Sequence, residues 1–326
     1  MGLKGIVVVL AQSQARVEEV SCDGVTWVNV EKPTQSEMQF LAAKYHFHPL
    51  ALEDCLSRIQ LPKIDRYGDY VFLILHLPAL KDSGQTVTHA QLSIFLGRDY
   101  LVTVHQGDIK PLSDLFSRCK RDEQIRRDFV CNSPGYTLYR LIDSVVDSLF
   151  PILDGILREL DEIEDKVFDE KVEAAREVTL LRRKIADLRR IVFPMRRVLA
   201  ELAREVNRFS NTDLTKYFSD IQDHVEKLWE TLEACKETIE IYKDTDFMLS
   251  TEKSNKILAI LTIIFTLTIP YTVIGTIYGM NINLPGGIET GAWAFLGPYA
   301  TLIILLIVAT IPALIMIWYF RKVGWI

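Results

Sequence analysis

ILAILTIIFTLTIPYTVIGTIYGMN, residues 257–281, decides how the rest of the chain is read. No Asp, Glu, Lys or Arg occurs from Ile257 to Ile288. As a helix, 257–278 extends about 33 Å at about 1.5 Å per residue, enough to cross the hydrocarbon core of a bilayer. A second uncharged block, Trp293 to Phe320, follows after the single acidic residue Glu289. Core helices of soluble proteins rarely run past about 20 residues without a charge, so both blocks are read as transmembrane helices.

The remainder of the 326 residues carries nearly all the charge, which makes it a large polar body ahead of a membrane anchor. Lys253 and Lys256 precede the first span, Arg321 and Lys322 follow the second, and the connector between the spans has no Lys or Arg. Positive residues stay on the cytoplasmic side, so both termini are expected inside, with only the residues around Asn281 to Ala292 outside. The apolar run Ile6 to Leu10 is too short for a signal-peptide core and reads as a strand. The five cysteines, Cys22, Cys55, Cys119, Cys131 and Cys235, show no CxxC spacing and are expected to be ordinary buried thiols in a reducing compartment. A net charge of −6, with no evident basic stripe, argues against nucleic acid as a partner. An acidic body attracts cations instead.

The pattern divides the chain into an α/β cytoplasmic domain (1–135), long cytoplasmic helices and a stalk (136–256), a first transmembrane helix (257–278), an external loop (279–292), a second transmembrane helix (293–320) and a basic tail (321–326). Strands are expected at Ile6–Leu10, Thr26–Val30, Tyr70–Leu77, Gln91–Leu96 and Tyr100–Val104, from β-rich runs bounded by turn residues. Pro33-Thr34 with Glu37 three residues on reads as a capping box. From Tyr136 the apolar residues Leu141, Val145, Leu149, Ile152, Ile156, Leu160, Ile163 and Val167 recur by threes and fours, as on an amphipathic helix. Pro151 and Pro194 are where kinks or breaks are expected. Past Asn211-Thr212-Asp213 the helical pattern resumes at Leu214, and no Pro or Gly intervenes before Pro270. One helix should therefore leave the cytoplasmic body and enter the membrane unbroken.

Tyr278-Gly279-Met280-Asn281 closes the first span where the chain must leave the bilayer. Gly279 frees the backbone to turn, and the Asn281 side chain offers an uncharged carbonyl oxygen. Rings of such oxygens suit a hard cation that sheds its water reluctantly. In this position the Gly-Met-Asn signature resembles the CorA family of divalent-cation channels. The likeness extends to His48-Pro49-Leu50 with Glu53-Asp54, to Gln60-Leu61-Pro62-Lys63, to Tyr217-Phe218-Ser219-Asp220 with Asp223-His224, and to Ser254-Asn255 and Leu261-Thr262-Ile263-Ile264.

The resemblance implies a funnel-shaped homopentamer with the first span of each copy around a central pore. Gly279, Met280 and Asn281 would form the selectivity filter. Asp244, Asn255 and Thr272 would be polar rings, and Leu258, Leu261 and Ile269 apolar constrictions. Regulation in the family depends on cytoplasmic magnesium held by carboxylates between protomers. The matching stalk residue is Asp220, and Asp82 is its expected partner. Two carboxylates facing each other repel until a divalent ion bridges them.

The implied function is influx of magnesium across the plasma membrane, with cytoplasmic magnesium closing the pore and with cobalt among the family's ions. A zinc, cobalt or nickel transporter of the same architecture, coupled to protons, is the alternative. The outer loop keeps only Glu289 as an acidic residue, which weakens electrostatic concentration of entering ions. No P-loop, Gly-x-Ser-x-Gly or HExxH pattern occurs, so no enzymatic activity is expected.

Overall fold

Alternation of side chains along extended backbone places successive residues on opposite faces of a sheet. The β-rich first third uses both faces. The computed structural model describes residues 17–57, 60–80, 87–169, 174–282, 284 and 299–324. Among these, the strands are β1 (Val17–Cys22), β2 (Val25–Glu31), β3 (Lys63–Arg66), β4 (Val71–Leu80), β5 (Val87–Leu96) and β6 (Tyr100–His105). They form one sheet in the order β1-β2-β6-β5-β4-β3, antiparallel throughout except where β2 runs parallel to β6. Four of the strands expected from sequence lie within β2, β4, β5 and β6, while the run Ile6–Leu10 lies outside the described residues.

Helices α1 (Gln35–Tyr45) and α2 (Pro49–Leu56) cover one face of the sheet, where Phe47, Phe72, Ile74 and Phe95 share an apolar cluster. The Thr34–Glu37 capping box closes as expected, with the Thr34 N–H donating to Glu37 Oε2 at 2.8 Å. Helices α3 (Lys110–Arg121), α4 (Glu123–Val130) and α5 (Pro134–Asp147) cover the other face over Trp27, Leu73 and Ile94. That second cluster continues without interruption into α6 (Phe150–Val167), α7 (Ala175–Glu205) and α8 (Thr215–Tyr278). The helical pattern after Tyr136 breaks at Ser148-Leu149, just ahead of Pro151, which takes an N-terminal position of α6. Pro194, by contrast, lies inside an unbroken α7.

Packing among the long helices follows heptads. On α7 the buried residues Val178, Leu181, Ile185, Leu188, Val192, Met195, Leu199 and Leu202 step by alternating threes and fours, as do Phe218, Ile221, Val225, Leu228, Leu232, Cys235, Ile239 and Tyr242 on α8. Ion pairs at the seam edges fix α7 antiparallel to both neighbours: Lys184–Glu159 and Lys166–Glu177 toward α6, and Arg182–Glu240, Arg189–Glu233 and Arg196–Glu226 toward α8. The last helix, α9 (Ala300–Val323), joins α8 through Tyr271, whose hydroxyl lies 2.9 Å from Thr310 Oγ1. The chain divides into two units, Met1–Asp244 and Thr245–Ile326.

Two sequence expectations are corrected. Cys22, at the end of β1, and Cys131, just after α4, form a disulfide, whereas Cys55, Cys119 and Cys235 are the buried thiols expected. Burial pushes the Cys55 thiol up to about 12 and Cys119 up to about 11, so both stay protonated and unreactive at neutral pH. The absence of a basic stripe, inferred from net charge, also fails on α7. Arg176, Arg183, Arg190, Arg197 and Arg204 recur every seventh residue there, and all are exposed.

A buried polar chain ties β2 to β6. Trp27 Nε1 donates to Thr103 Oγ1 at 3.1 Å, and that hydroxyl donates to Asn29 Oδ1 at 2.8 Å. His105 Nδ1 accepts from the Gly107 N–H at 3.0 Å, which leaves the ring proton on Nε2, 3.1 Å from Asn29 Oδ1. Burial pushes His105 down to about 4, so it is neutral at pH 7. Its folded value lies below its unfolded one, so its contribution to stability is full at neutral pH and is lost as pH falls from about 6.5 to about 4, a change on the order of 3 kcal/mol. The melting temperature should fall across this window, and His105→Gln should flatten the slope. The disulfide closes a sequence separation of 109 residues. Alkylation before and after reduction, read by mass spectrometry, should reveal two additional thiols, and Cys131→Ser should lower stability in oxidising buffer by about 2–4 kcal/mol.

Candidate functional site

A long helix presents one residue in every three or four to any given direction, so the α8 positions expected to line a pore can be tested for a common face. Asp244, Asn255, Leu258, Ile269 and Thr272 fall on one stripe, stepping by fours and threes with Met248, Thr251, Thr262, Phe265 and Thr276 between and beyond them. The stripe ends at Gly279. Leu261 stands just before Thr262 and so flanks the stripe. All these residues are exposed in the single chain, and none of the apolar window of α8 is buried, against 17% of the corresponding window of α9. Such helices are not core helices of a soluble protein; lipid or further copies must cover them.

The threonines on this stripe are set up as acceptors. Thr262 Oγ1 donates to the Leu258 carbonyl at 2.7 Å, Thr272 Oγ1 to Thr268 at 3.0 Å and Thr276 Oγ1 to Thr272 at 2.7 Å. With the hydroxyl proton committed to the backbone, each oxygen turns only lone pairs outward, the polarity that receives the water shell of a cation. Pro270, inside the same helix, has no N–H to offer the carbonyl of Thr266.

Helix α8 closes with the Gly279 N–H on the Gly275 carbonyl at 2.9 Å and the Met280 N–H on the Ile277 carbonyl at 3.2 Å. A Cβ at Gly279 would stand 3.1 Å from the Gly275 carbonyl oxygen, tight enough to press on this last turn. Asn281 follows, exposed and outside the helix.

In the first unit, α5 and α8 each carry an i, i+4 pair, Asp143 with Asp147 and Asp220 with His224. The ligand atoms of Asp143, Asp220 and His224 lie within 4.8 Å of one another. Asp143 is half-buried, and burial holds its carboxyl above the usual range, reinforced by the charge of Asp147 and opposed by His224. His224 Nδ1 has no hydrogen-bond partner among the described residues and stands 3.9 Å from Asp147. Two carboxylates this close repel, and a divalent cation converts the repulsion into ligation. Asp82, the expected partner of Asp220, lies outside the described residues. Asp143 and His224 were not singled out as candidate ligands from sequence, although the two i, i+4 spacings were the available signal.

The family model described as CorA-like Mg2+ transporter protein matches residues 23–322. The chain belongs to this family. Among its relatives is the cobalt/magnesium transport protein CorA of Thermotoga maritima, 28% identical over 304 residues that cover 92% of this chain and 83% of the other. The zinc transport protein ZntB of Pectobacterium carotovorum subsp. carotovorum is 19% identical over 273 residues, covering 82% and 80%. The solved structure of the CorA magnesium transporter from Methanocaldococcus jannaschii has the same fold, with a TM-score of 0.72, 22% identity and coverage of 93% and 92%. The mixed sheet domain, long helices and two apolar C-terminal helices expected from sequence are thus those of a CorA-type divalent-metal transporter, not an enzyme.

Metal ligation requires ionised Asp143, whereas the metal-free fold disfavours that state. Asp143→Asn should therefore raise the melting temperature in chelator and, where a divalent ion binds at this cluster, remove most of the increase that cobalt or magnesium gives the parent. Differential scanning fluorimetry at pH 7.5 checks both signs; at pH 5.5, where more of Asp143 is protonated, the metal-induced increase should shrink.

Proposed function

We propose that this protein is an ion channel of the plasma membrane that admits magnesium, with Gly279, Met280 and Asn281 at the outer filter and the α8 stripe along the pore. The observation that carries this reading is the stripe itself. Acceptor-only threonines alternate with Leu258, Phe265 and Ile269 on an exposed helix face that ends at Gly-Met-Asn. Past Asp244 the stripe offers neutral oxygens without carboxylates, which suit a cation that keeps its water, and magnesium dehydrates reluctantly. Apolar rings between them close the path by dewetting when they draw together. Both termini lie in the cytoplasm, and five copies surround the axis, as the family resemblance implies. With a negative interior, each divalent ion moving inward gains about 4.6 kcal/mol per 100 mV.

Asp220 acts in regulation, with Asp143 and His224 beside it and Asp82 as the ligand from across the subunit boundary. An occupied cluster neutralises the repelling carboxylates and holds the closed state; release of the ion lets the subunits part. The imidazole also bears on ion choice. Nitrogen ligands favour cobalt, nickel or zinc over magnesium, which together with the zinc-transporting relative supports a second reading, a proton-coupled zinc carrier.

Dye-reported flux into proteoliposomes separates the two. Magnesium uptake indifferent to a pH gradient supports the channel; zinc uptake driven by inward protons supports the carrier. Asn281→Ala should abolish selective magnesium flux, by at least about tenfold, while the oligomer remains intact by size-exclusion chromatography, because only a pore-mouth ligand is lost. Unchanged uptake in this variant would remove Asn281 from the filter.

A further inference from the structure

The heptad columns of charge on α6, α7 and α8 are not all used inside one chain. Arg182, Arg189 and Arg196, seven residues apart on α7, meet Glu240, Glu233 and Glu226, seven apart on α8. The second arginine column, Arg176, Arg183, Arg190, Arg197 and Arg204, meets no acidic column among the described residues. Arg183 and Arg190 reach only Asp187 on their own helix, at 3.9 and 3.4 Å, and their side chains stay 74% and 81% exposed. Arg197 donates to the Pro62 carbonyl at 3.3 Å. An unmatched acidic column exists as well. Asp154 and Asp161, also seven apart and exposed on α6, make no ion pair among the described residues, although the Asp161 charge is felt by the Tyr242 hydroxyl of α8.

We propose that these two columns are halves of one interface between neighbouring copies of this chain, Arg183 facing Asp161 and Arg190 facing Asp154 of the next copy. The proposal rests on the cyclic assembly put forward above. Rotation about an axis parallel to the helices leaves every residue at its own height, so a partner in the next copy must lie level with its mate. Inside the chain, Lys184 is level with Glu159 and Glu177 with Lys166, so the paired residue numbers move in opposite directions by equal steps. That register sets Arg183 level with Leu160 and Arg190 level with Leu153, so Asp161 and Asp154, the next residues along α6, lie within about 1.5 Å of the same heights. Both columns repeat at about 10 Å, so two rungs form together. The contact is head-to-tail, which closes into a ring rather than pairing two copies face to face. Rows of exposed ion pairs add little raw affinity, but they fix register and penalise like-charge contacts.

The test uses the full-length protein in detergent, with oligomer mass read by light scattering across a dilution series. Arg183→Asp with Arg190→Asp should move the dissociation midpoint to at least about tenfold higher concentration, and Asp154→Arg with Asp161→Arg should do the same. The fourfold swap should recover most of the loss, which a merely misfolded variant would not. Two chains, one bearing Arg190→Cys and the other Asp154→Cys, should give a disulfide-linked dimer on co-expression and oxidation. An intact oligomer without this cross-link, or a midpoint unmoved by either reversal, overturns the interface. So does a result in which reversal changes only retention on phosphatidylglycerol vesicles, since the arginines then serve a lipid surface. A parent chain that stays monomeric at every concentration refutes the cyclic assembly itself, and with it this interface.

Discussion

The constraint on which the structure depends is the continuity of α8, a helix of 64 residues with two faces that do different work. Its buried seam ends at Tyr242, whose hydroxyl donates to Glu164 Oε2 on α6 at 2.6 Å. Its exposed stripe runs on from Asp244, two residues later, and two residues turn a helix by about 200°. The face that packs in the first unit and the face assigned to ions are therefore opposite sides of one rod. A helix with one apolar side could not serve both roles, because burying the seam would also bury the stripe.

Continuity also links the carboxylate cluster to the stripe through covalent structure alone. Asp220 and His224 sit on the first turns of the helix whose last turn is fixed by Gly279. A side chain that shifts against Asp143 on α5 shifts a residue of the same hydrogen-bonded ladder. Without metal, burial and the neighbouring acids hold Asp143 above its ordinary range, a local strain that either a proton or a cation relieves.

Much of this was legible because long apolar runs and heptads are signals written over many residues. The helix that runs unbroken through Pro270 to Tyr278, and the strands around Phe72, Ile94 and Val102, all read correctly. What escaped is short or non-local. Strand β1, VEEVSC, and strand β3, KIDR, are polar edge strands whose pairing partners supply the order that composition does not. Cys22 and Cys131 are brought together only by the packing of α4 on β1, so spacing rules could not find them. Asp143 and Asp220 lie on helices far apart in sequence that only tertiary packing brings together. The arginine column was hidden by averaging: a net charge of −6 reports the sum over the chain and not the face of a helix.

The distribution of charge in turn fits the ion chemistry assigned to the stripe. A carboxylate ring deep in a low-dielectric pore would bind a divalent cation strongly enough to slow its exit, and conduction needs weak, repeated sites. The stripe past Asp244 carries none, and offers instead hydroxyls whose protons are already committed to the backbone. The close-set carboxylates of Asp143 and Asp220, with His224 beside them, stand off this stripe, where the proposed regulatory ion would be held more tightly than an ion in transit. Weak neutral oxygens along the proposed path and paired carboxylates at the proposed control site would be the same electrostatic rule applied at two depths of burial.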